Sequence, residues 1–302
     1  MKYAFFQGKI VPLAEAKVSV VTHALNYGTG IFEGIRGYYN KDQNQMYILK
    51  MAEHYQRFLQ SCKIMLMQFP YTVEDLCQIT LEIARKNSYQ EDFYIRPLAY
   101  KSSEIIGVKL HDLACDLTIF TAPFGAYIDI KKGIKVRTSS WRRIDDSMIP
   151  ARAKICGAYV NSAFAKTEAM LDGYAEAIML NYDGEVAEGS AENIFIYRKG
   201  QFITPLVNNN ILEGITRSVL MKLLKEELDV PVVERSIDRT ELYVADEIFL
   251  CGTGAQISPV IEIDKRRVGT GTPGPLTKKL QNLYFNIVQG NNPRYADWLT
   301  KL

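Results

Sequence analysis

Gly184-Glu185-Val186-Ala187-Glu188-Gly189-Ser190-Ala191-Glu192-Asn193-Ile194-Phe195 is the stretch whose reading decides the fold. It follows Ala177-Ile178-Met179-Leu180-Asn181-Tyr182, an apolar run rich in β formers that reads as a buried strand. Asp183-Gly184 supplies a positive-φ pair for a tight hairpin turn. The returning strand carries Glu188 between Ala187 and Gly189, small neighbours that leave room for something bulky and flat. A carboxylate in such a place is costly unless it meets a cation or a strong donor. The ordinary alternative is a hairpin with a surface acid, and two other segments weigh against it.

The first is Met148-Ile149-Pro150-Ala151-Arg152-Ala153-Lys154-Ile155-Cys156-Gly157-Ala158-Tyr159-Val160-Asn161. Lys154 sits among apolar or small residues, where desolvation would leave a neutral, nucleophilic amine, the state a Schiff-base lysine needs. A lysine snorkelling to water is the ordinary outcome. The second is Leu212-Glu213-Gly214-Ile215-Thr216-Arg217, which runs into a helix through Ser218-Val219-Leu220-Met221-Lys222-Leu223-Leu224. Gly214 lets the backbone turn sharply, and the free N–H groups of Ile215 and Thr216 open the helix as an anion site. Gly252-Thr253-Gly254-Ala255 reads either as a second such cradle or as a glycine-rich turn. An amine, a carboxylate and two phosphate-type cradles match the aldehyde, ring nitrogen and phosphate of pyridoxal phosphate.

With these motifs in this order, the chain resembles the branched-chain amino-acid aminotransferases among the class IV, fold-type IV pyridoxal phosphate enzymes. The likeness runs from Thr22-His23-Ala24-Leu25-Asn26-Tyr27-Gly28-Thr29-Gly30-Ile31-Phe32-Glu33-Gly34-Ile35-Arg36 to Gly274-Pro275-Leu276-Thr277, nearly the whole length. It implies a two-domain α+β architecture and transamination between leucine, isoleucine or valine and 2-oxoglutarate. It also implies Lys154 as the catalytic lysine and Glu188 against the pyridine nitrogen. Tyr159 would bond the phenolic oxygen, and Leu212 would pack on the ring. Arg57, in a His-x-x-Arg setting with His54, would hold the phosphate with the Ile215 and Thr216 amides and Thr253, Gly214 and Gly252 shaping the backbone.

For the substrate, the resemblance implies an aromatic and aliphatic wall of Phe32, Tyr27, Tyr127 and Tyr159, lined also by Gly34. Val108 and Tyr27 would close the pocket from a neighbouring subunit, which makes the enzyme a homodimer or higher homo-oligomer. Tyr94 and the Gly254 and Ala255 amides would take the α-carboxylate, and Arg96 the second carboxylate of glutamate; a strand-end salt bridge is the plain alternative for Arg96. Ala158 stands where many members have asparagine, and Ser190-Ala191 where they have Thr-Gly. Both changes bear on pocket shape, and neither removes a catalytic group.

The composition suits a soluble globular protein. The chain has 302 residues, a net charge of +2, five cysteines and three histidines. That charge offers no basic face for nucleic acid. Cys62, Cys77, Cys115, Cys156 and Cys251 are an odd number without a C-x-x-C pair, as expected of a reduced cytoplasm. Three scattered histidines argue against a metal site. The first residues are too polar for a signal peptide, and no apolar run has the length of a membrane helix.

Along the chain, Tyr3 to Pro12 and Phe195 to Pro205 read as hairpins about Gln7-Gly8-Lys9 and Lys199-Gly200. A helix is expected from about Met51 to Met67, and Thr72-x-x-Asp75 caps the next. Strands follow over Asp92–Tyr100 and Asp116–Pro123, and a new β-rich block starts at Ile134. Further helices are expected near Ala158–Asp172, Thr216–Leu228 and Pro275–Val288. Strands and helices mix without βαβ alternation, so the class is α+β. The expected division is a small N-terminal domain over 1–122, a connection over 123–133, and a larger C-terminal domain over 134–302 carrying the lysine.

Rivals of the same fold are a D-amino-acid transaminase and aminodeoxychorismate lyase; Tyr94-x-Arg96-Pro97-Leu98 favours the branched-chain type. A rival of another class is a binding protein that kept the fold without catalysis, against which Lys154 and Glu188 both argue.

Overall fold

The computed structural model describes residues 2–125 and 131–302. Tyr127 lies outside the described residues. Among those described, the chain forms two compact units. One comprises the chain up to Gly125 with Ala153–Ala158 and Asn286–Leu302; the other comprises the stretch up to Arg152 with Tyr159–Phe285. The expected linear division is therefore corrected in two places. The segment bearing Lys154 belongs to the first unit, because Ile155 makes a β-bridge with Ile31 and the Gly157 amide donates to Gly28 O at 3.0 Å. The C-terminus belongs there too, because strand Leu299–Lys301 pairs antiparallel with Gln45–Leu49.

The sheet of the first unit runs Leu299–Lys301, Gln45–Leu49, Ile35–Asn40, Phe93–Lys101, Cys115–Pro123, Tyr3–Phe6 and Lys9–Pro12, with Gly30–Phe32 also paired to Phe93–Lys101. Helices α1 (His23–Tyr27), α2 (Met51–Ile64) and α3 (Val73–Asn87) accompany it. α3 opens with the capping box read from the sequence, Thr72 with Asp75. The core of this unit includes Ile31, Ile35, Tyr55, Phe58, Phe93 and Ile95, all at 0 % exposure. Burying each contributes roughly 1.5–3 kcal/mol, against about 0.5–1.5 kcal/mol net for a hydrogen bond. Apolar alternation therefore decides which strand face turns inward.

Phe93–Lys101 is the strand that carries Tyr94 and Arg96. Phe93, Ile95 and Ala99 are buried, whereas Tyr94, Arg96 and Leu98 share the other, half-buried face. Pro97 lacks an N–H to donate, and it lies where the strand changes neighbour. Ile95 pairs with Ile35, and Leu98 pairs with Phe32.

The second unit has its own sheet, in the order Val186–Gly189, Glu176–Leu180, Ile134–Thr138, Gln256–Ile263, Glu247–Gly252, Asn193–Arg198, Gln201–Thr204 and Val232–Glu234, with Arg266–Arg267 paired to Gln256–Ile263. Antiparallel pairs dominate it, and two parallel pairs are joined through a helix: Ile134–Thr138 to Glu176–Leu180 through Tyr159–Leu171, and Gln201–Thr204 to Val232–Glu234 through Ile215–Glu226. α4 (Tyr159–Leu171), α5 (Ile215–Glu226) and α6 (Pro275–Val288) are its helices, the chain leaving this unit within α6. Its core gathers Val136, Ile178, Val186, Ile194, Ile196 and Leu250.

The deciding hairpin forms where expected, with a different turn. Strands end at Leu180 and restart at Val186. The Asn181 amide donates to Glu185 O at 2.8 Å and the Gly184 amide to Asn181 O at 3.1 Å. Only Gly184, at φ 91°, adopts the left-handed region; Asp183 instead accepts the Glu185 amide on its carboxylate at 2.9 Å. The loop is thus a three-residue turn closed by a glycine. It needs one positive φ and not a pair.

Candidate active site

Within the first unit, Lys154 lies beside Phe32. The Phe32 amide donates to the Lys154 carbonyl at 3.1 Å, and Lys154 Nζ stands 4.9 Å from the centroid of the Phe32 ring. Lys154 is half-buried, and its amide donates to Ser61 Oγ on α2 at 3.4 Å. On the same face of α2, Arg57 and His54 both reach Glu33. Arg57 Nε lies 2.7 Å from Oε1, and Arg57 NH2 and His54 Nδ1 lie 2.9 and 2.8 Å from Oε2.

Burial alone would raise the Glu33 carboxyl, but the Arg57 charge and the bonds from His54 and Arg57 outweigh it and hold it well below the usual range. Burial pushes the His54 imidazole down despite the opposing pull of Glu33. His54 therefore donates from Nδ1 as a neutral ring. Neither Glu33 nor its link to Arg57 was singled out in the sequence. The acid in Phe32-Glu33-Gly34 between apolar neighbours was the available signal.

Phe32, Gly34, Tyr94 and Arg96 come together on one sheet face. Arg96 stands mid-strand, donates from NH2 to the Tyr94 hydroxyl at 3.0 Å and lies 4.3 Å from the centroid of Phe32. Its Nε is buried without a hydrogen-bond partner among the described residues, a donor suited to a ligand acid. A Cβ on Gly34 would come within 2.0 Å of the Tyr94 hydroxyl, so only glycine leaves that hydroxyl its place. Tyr27 closes α1, and its hydroxyl accepts the Gly107 amide at 3.2 Å, next to Val108, which is 89 % exposed.

Within the second unit, Glu188 is buried and its carboxylate is met from several sides. Arg143 NH2 lies 2.9 Å from Oε1, and Asn193 Nδ2 and the Leu212 amide each lie 3.1 Å from Oε2. Arg143 and Asn193 are further functional candidates that no sequence motif marks, although Asn193 lies between Gly184 and Phe195. Asn193 also donates to Leu212 O at 2.9 Å. It thereby ties the Glu188 strand to the segment leading into α5.

Gly214 caps α5 with ordinary extended angles (φ −69°, ψ 131°), not with a glycine-only turn. Its requirement is space: a Cβ there would lie 2.0 Å from Asn193 Oδ1. No side chain caps the helix, and the first helical bond runs from the Ser218 amide to Gly214 O. The Ile215 and Thr216 amides precede that bond, which leaves a helix start able to hold an anion. Thr253, Gly254 and Ala255 form the three-residue loop between strands Glu247–Gly252 and Gln256–Ile263. The root of this loop is fixed beside Asn193, which pairs with Cys251. Tyr159 is the first residue of α4 and half-buried.

Each unit holds groups suited to part of an aldehyde–pyridine–phosphate cofactor: a half-buried amine in the first, and a buried carboxylate and an uncapped helix start in the second. The model of the family described as amino-transferase class IV matches residues 30–263. The probable branched-chain-amino-acid aminotransferase of Aquifex aeolicus (strain VF5) is 54% identical over 300 residues, 99% of this chain and 96% of that one. The branched-chain aminotransferase of Thermoproteus uzoniensis with norvaline superposes with a TM-score of 0.95 at 44% identity, covering 99% of both chains. The branched-chain amino acid aminotransferase of Thermobaculum terrenum in its PLP-form gives 0.94 at 39% identity, covering 99% of this chain and 98% of that one. With a matched span of that extent and relatives alike from end to end, the chain belongs to the class IV aminotransferases.

Proposed function

We propose that this chain is a branched-chain-amino-acid transaminase. It moves the amino group of leucine, isoleucine or valine to 2-oxoglutarate, giving branched-chain 2-oxo acids and L-glutamate, with pyridoxal 5'-phosphate as cofactor. The relatives' shared activity along the full chain supports the reaction class. The observation that carries the dual substrate choice is Arg96 stacked on Phe32, a cation set into an aromatic wall. Such a wall accepts an aliphatic side chain, and the guanidinium answers a carboxylate.

Bound pyridoxal phosphate supplies a carbonyl that exchanges amino groups and a ring that accepts electrons when the α-proton leaves. Lys154 Nζ would anchor it, and the free amine would take the proton from the substrate Cα. Glu188 keeps a proton on the ring nitrogen. Tyr159 donates to the phenolic oxygen, and Leu212 packs on the ring. Arg57, the Ile215 and Thr216 amides and the Thr253 hydroxyl hold the phosphate, with Gly214 and Gly252 leaving the backbone room. Tyr94 and the Gly254 and Ala255 amides orient the α-carboxylate, and Gly34 keeps space for the Tyr94 hydroxyl. Phe32 and Tyr159, with Tyr27 and Val108 from a second copy, line the side-chain pocket.

Exposed apolar residues support an assembly at least dimeric. Val20, Leu25, Ile106 and Val108 are 79, 62, 92 and 89 % exposed. Asn26 Nδ2 donates to Val20 O and the Gly107 amide donates to Tyr27 Oη, which ties these segments to α1. Covering such a patch is the usual reason for it. Light scattering at assay concentration should give a dimer or larger, and an active monomer would refute this.

Five unbridged thiols support a reducing, cytoplasmic setting. Among the described residues no helix is long and apolar enough to cross a membrane. The test of function is a donor panel against 2-oxoglutarate, run beside D-alanine and aminodeoxychorismate. Turnover should follow leucine, isoleucine and valine, and preference for D-alanine or release of product from aminodeoxychorismate would replace the reading.

A further inference from the structure

Arg143 is fixed before it meets Glu188. Its amide donates to Leu180 O at 2.9 Å and its Nε to Asn210 O at 3.0 Å, while Asn210 Nδ2 donates to Asn181 Oδ1 at 3.1 Å. The guanidinium plane is thus set by the backbone around it, and NH2 reaches Glu188 Oε1 at 2.9 Å. The two side chains are only 11 % and 7 % exposed, so water and salt screen the pair weakly. The other oxygen of Glu188 takes the Asn193 and Leu212 donors.

We infer that Arg143 is a positioning residue for the reaction: it holds the Glu188 carboxylate charged and in one orientation, so that the proton between Glu188 and the ring nitrogen stays on the nitrogen. This rests on the assignment of Glu188 to that nitrogen. The physical issue is competition for one proton. Burial favours the neutral acid and would draw the proton towards the carboxylate, and a guanidinium on its opposite oxygen favours the charged form. With the proton on nitrogen, the ring withdraws the electrons released at the substrate Cα, so Arg143 acts on rate through Glu188. Nearby Glu192 supports the pairing. Burial first, and then Glu176, push its carboxyl well above the usual range, so it adds little opposing charge beside Glu188.

The test uses holoenzyme loaded with ¹⁵N-labelled pyridoxal phosphate, in the wild type, Arg143→Lys, Arg143→Gln and Glu188→Gln. The ¹⁵N shift reports protonation of the ring nitrogen directly, apart from turnover. The wild type and Arg143→Lys should show a protonated nitrogen. Arg143→Gln should move the shift towards the unprotonated value and lower the leucine kcat by a factor on the order of 10–100, the scale of one charged hydrogen bond, with KM changed little. A protonated nitrogen and full kcat in Arg143→Gln would overturn the inference while leaving Glu188 in place. An unmoved shift in Glu188→Gln would overturn the assignment of Glu188 itself. Should Arg143→Gln not fold, Arg143→Lys decides: a protonated nitrogen supports the charge-based role, and a deprotonated one overturns it.

Discussion

Glu33, wholly buried, grips Arg57 with both carboxylate oxygens, Nε to Oε1 at 2.7 Å and NH2 to Oε2 at 2.9 Å. His54 Nδ1 completes the group at 2.8 Å. The pair fixes the guanidinium plane of the residue assigned to the phosphate, and a two-pronged pair does so more firmly than a single contact.

Glu33→Gln should therefore cost both stability and cofactor. Removing one partner of a buried pair leaves an uncompensated charge, at about 3–5 kcal/mol. Denaturant unfolding of the apoprotein measures the first effect, and equilibrium titration with pyridoxal phosphate the second. Unchanged unfolding and unchanged affinity would mean that the pair contributes to neither.

The same cluster sets a pH dependence. His54 lies below its ordinary value in the fold, chiefly through burial, so unfolding binds a proton when the pH falls below about 6.5. Its stabilisation is present above that pH and lost as acid is added. Glu33, also held below its ordinary value, adds a further loss of the same sign below about 4.3. The melting temperature should fall from about pH 7 to pH 5, and His54→Asn, which retains a donor for Glu33, should flatten that slope. A slope unaltered by His54→Asn would place the titration elsewhere.

Gly214→Ala tests the second unit. A Cβ there would lie 2.0 Å from Asn193 Oδ1, and Asn193 cannot yield without loosening Glu188 and Leu212. Overpacking of this kind costs typically about 1–3 kcal/mol. Melting should fall accordingly, and cofactor should bind more weakly. A variant as stable and as tightly loaded as the wild type would show that the helix start moves freely.

How legible was this in the sequence? Local patterns carried far. The alternation of Phe93–Lys101, the Thr72–Asp75 box and the hairpin ending at Gly189 all follow from near neighbours. What stayed hidden depends on distant pairing. The Ile31–Ile155 bridge draws the lysine segment into the first unit, although the residues around Lys154 give no sign of it. Glu33 finds its partner 24 residues away on α2. The role of Asn193 requires the missing side chain of Gly214, and Arg143 meets Glu188 across a loop whose path no periodicity marks.

Arg96→Leu separates the two substrates. Leucine has one carboxylate, whereas glutamate buries a second among aromatic groups, where an unpaired charge is heavily penalised. Loss of one charged hydrogen bond, roughly 1.5–3 kcal/mol, should slow the glutamate and 2-oxoglutarate half-reaction by a factor on the order of 10–100. The leucine half-reaction should change much less, because Phe32 remains. Single-turnover spectra read each half alone. An equal fall in both would assign Arg96 to the α-carboxylate or to the fold.

Borohydride reduction of the holoenzyme followed by peptide mapping shows whether Lys154, set beside Phe32, carries the cofactor. The reduced pyridoxyl group should map to Lys154, with Lys154→Ala lacking both the reducible bond and turnover. A pyridoxyl group on another lysine, or a reducible bond that survives in Lys154→Ala, would contradict that assignment.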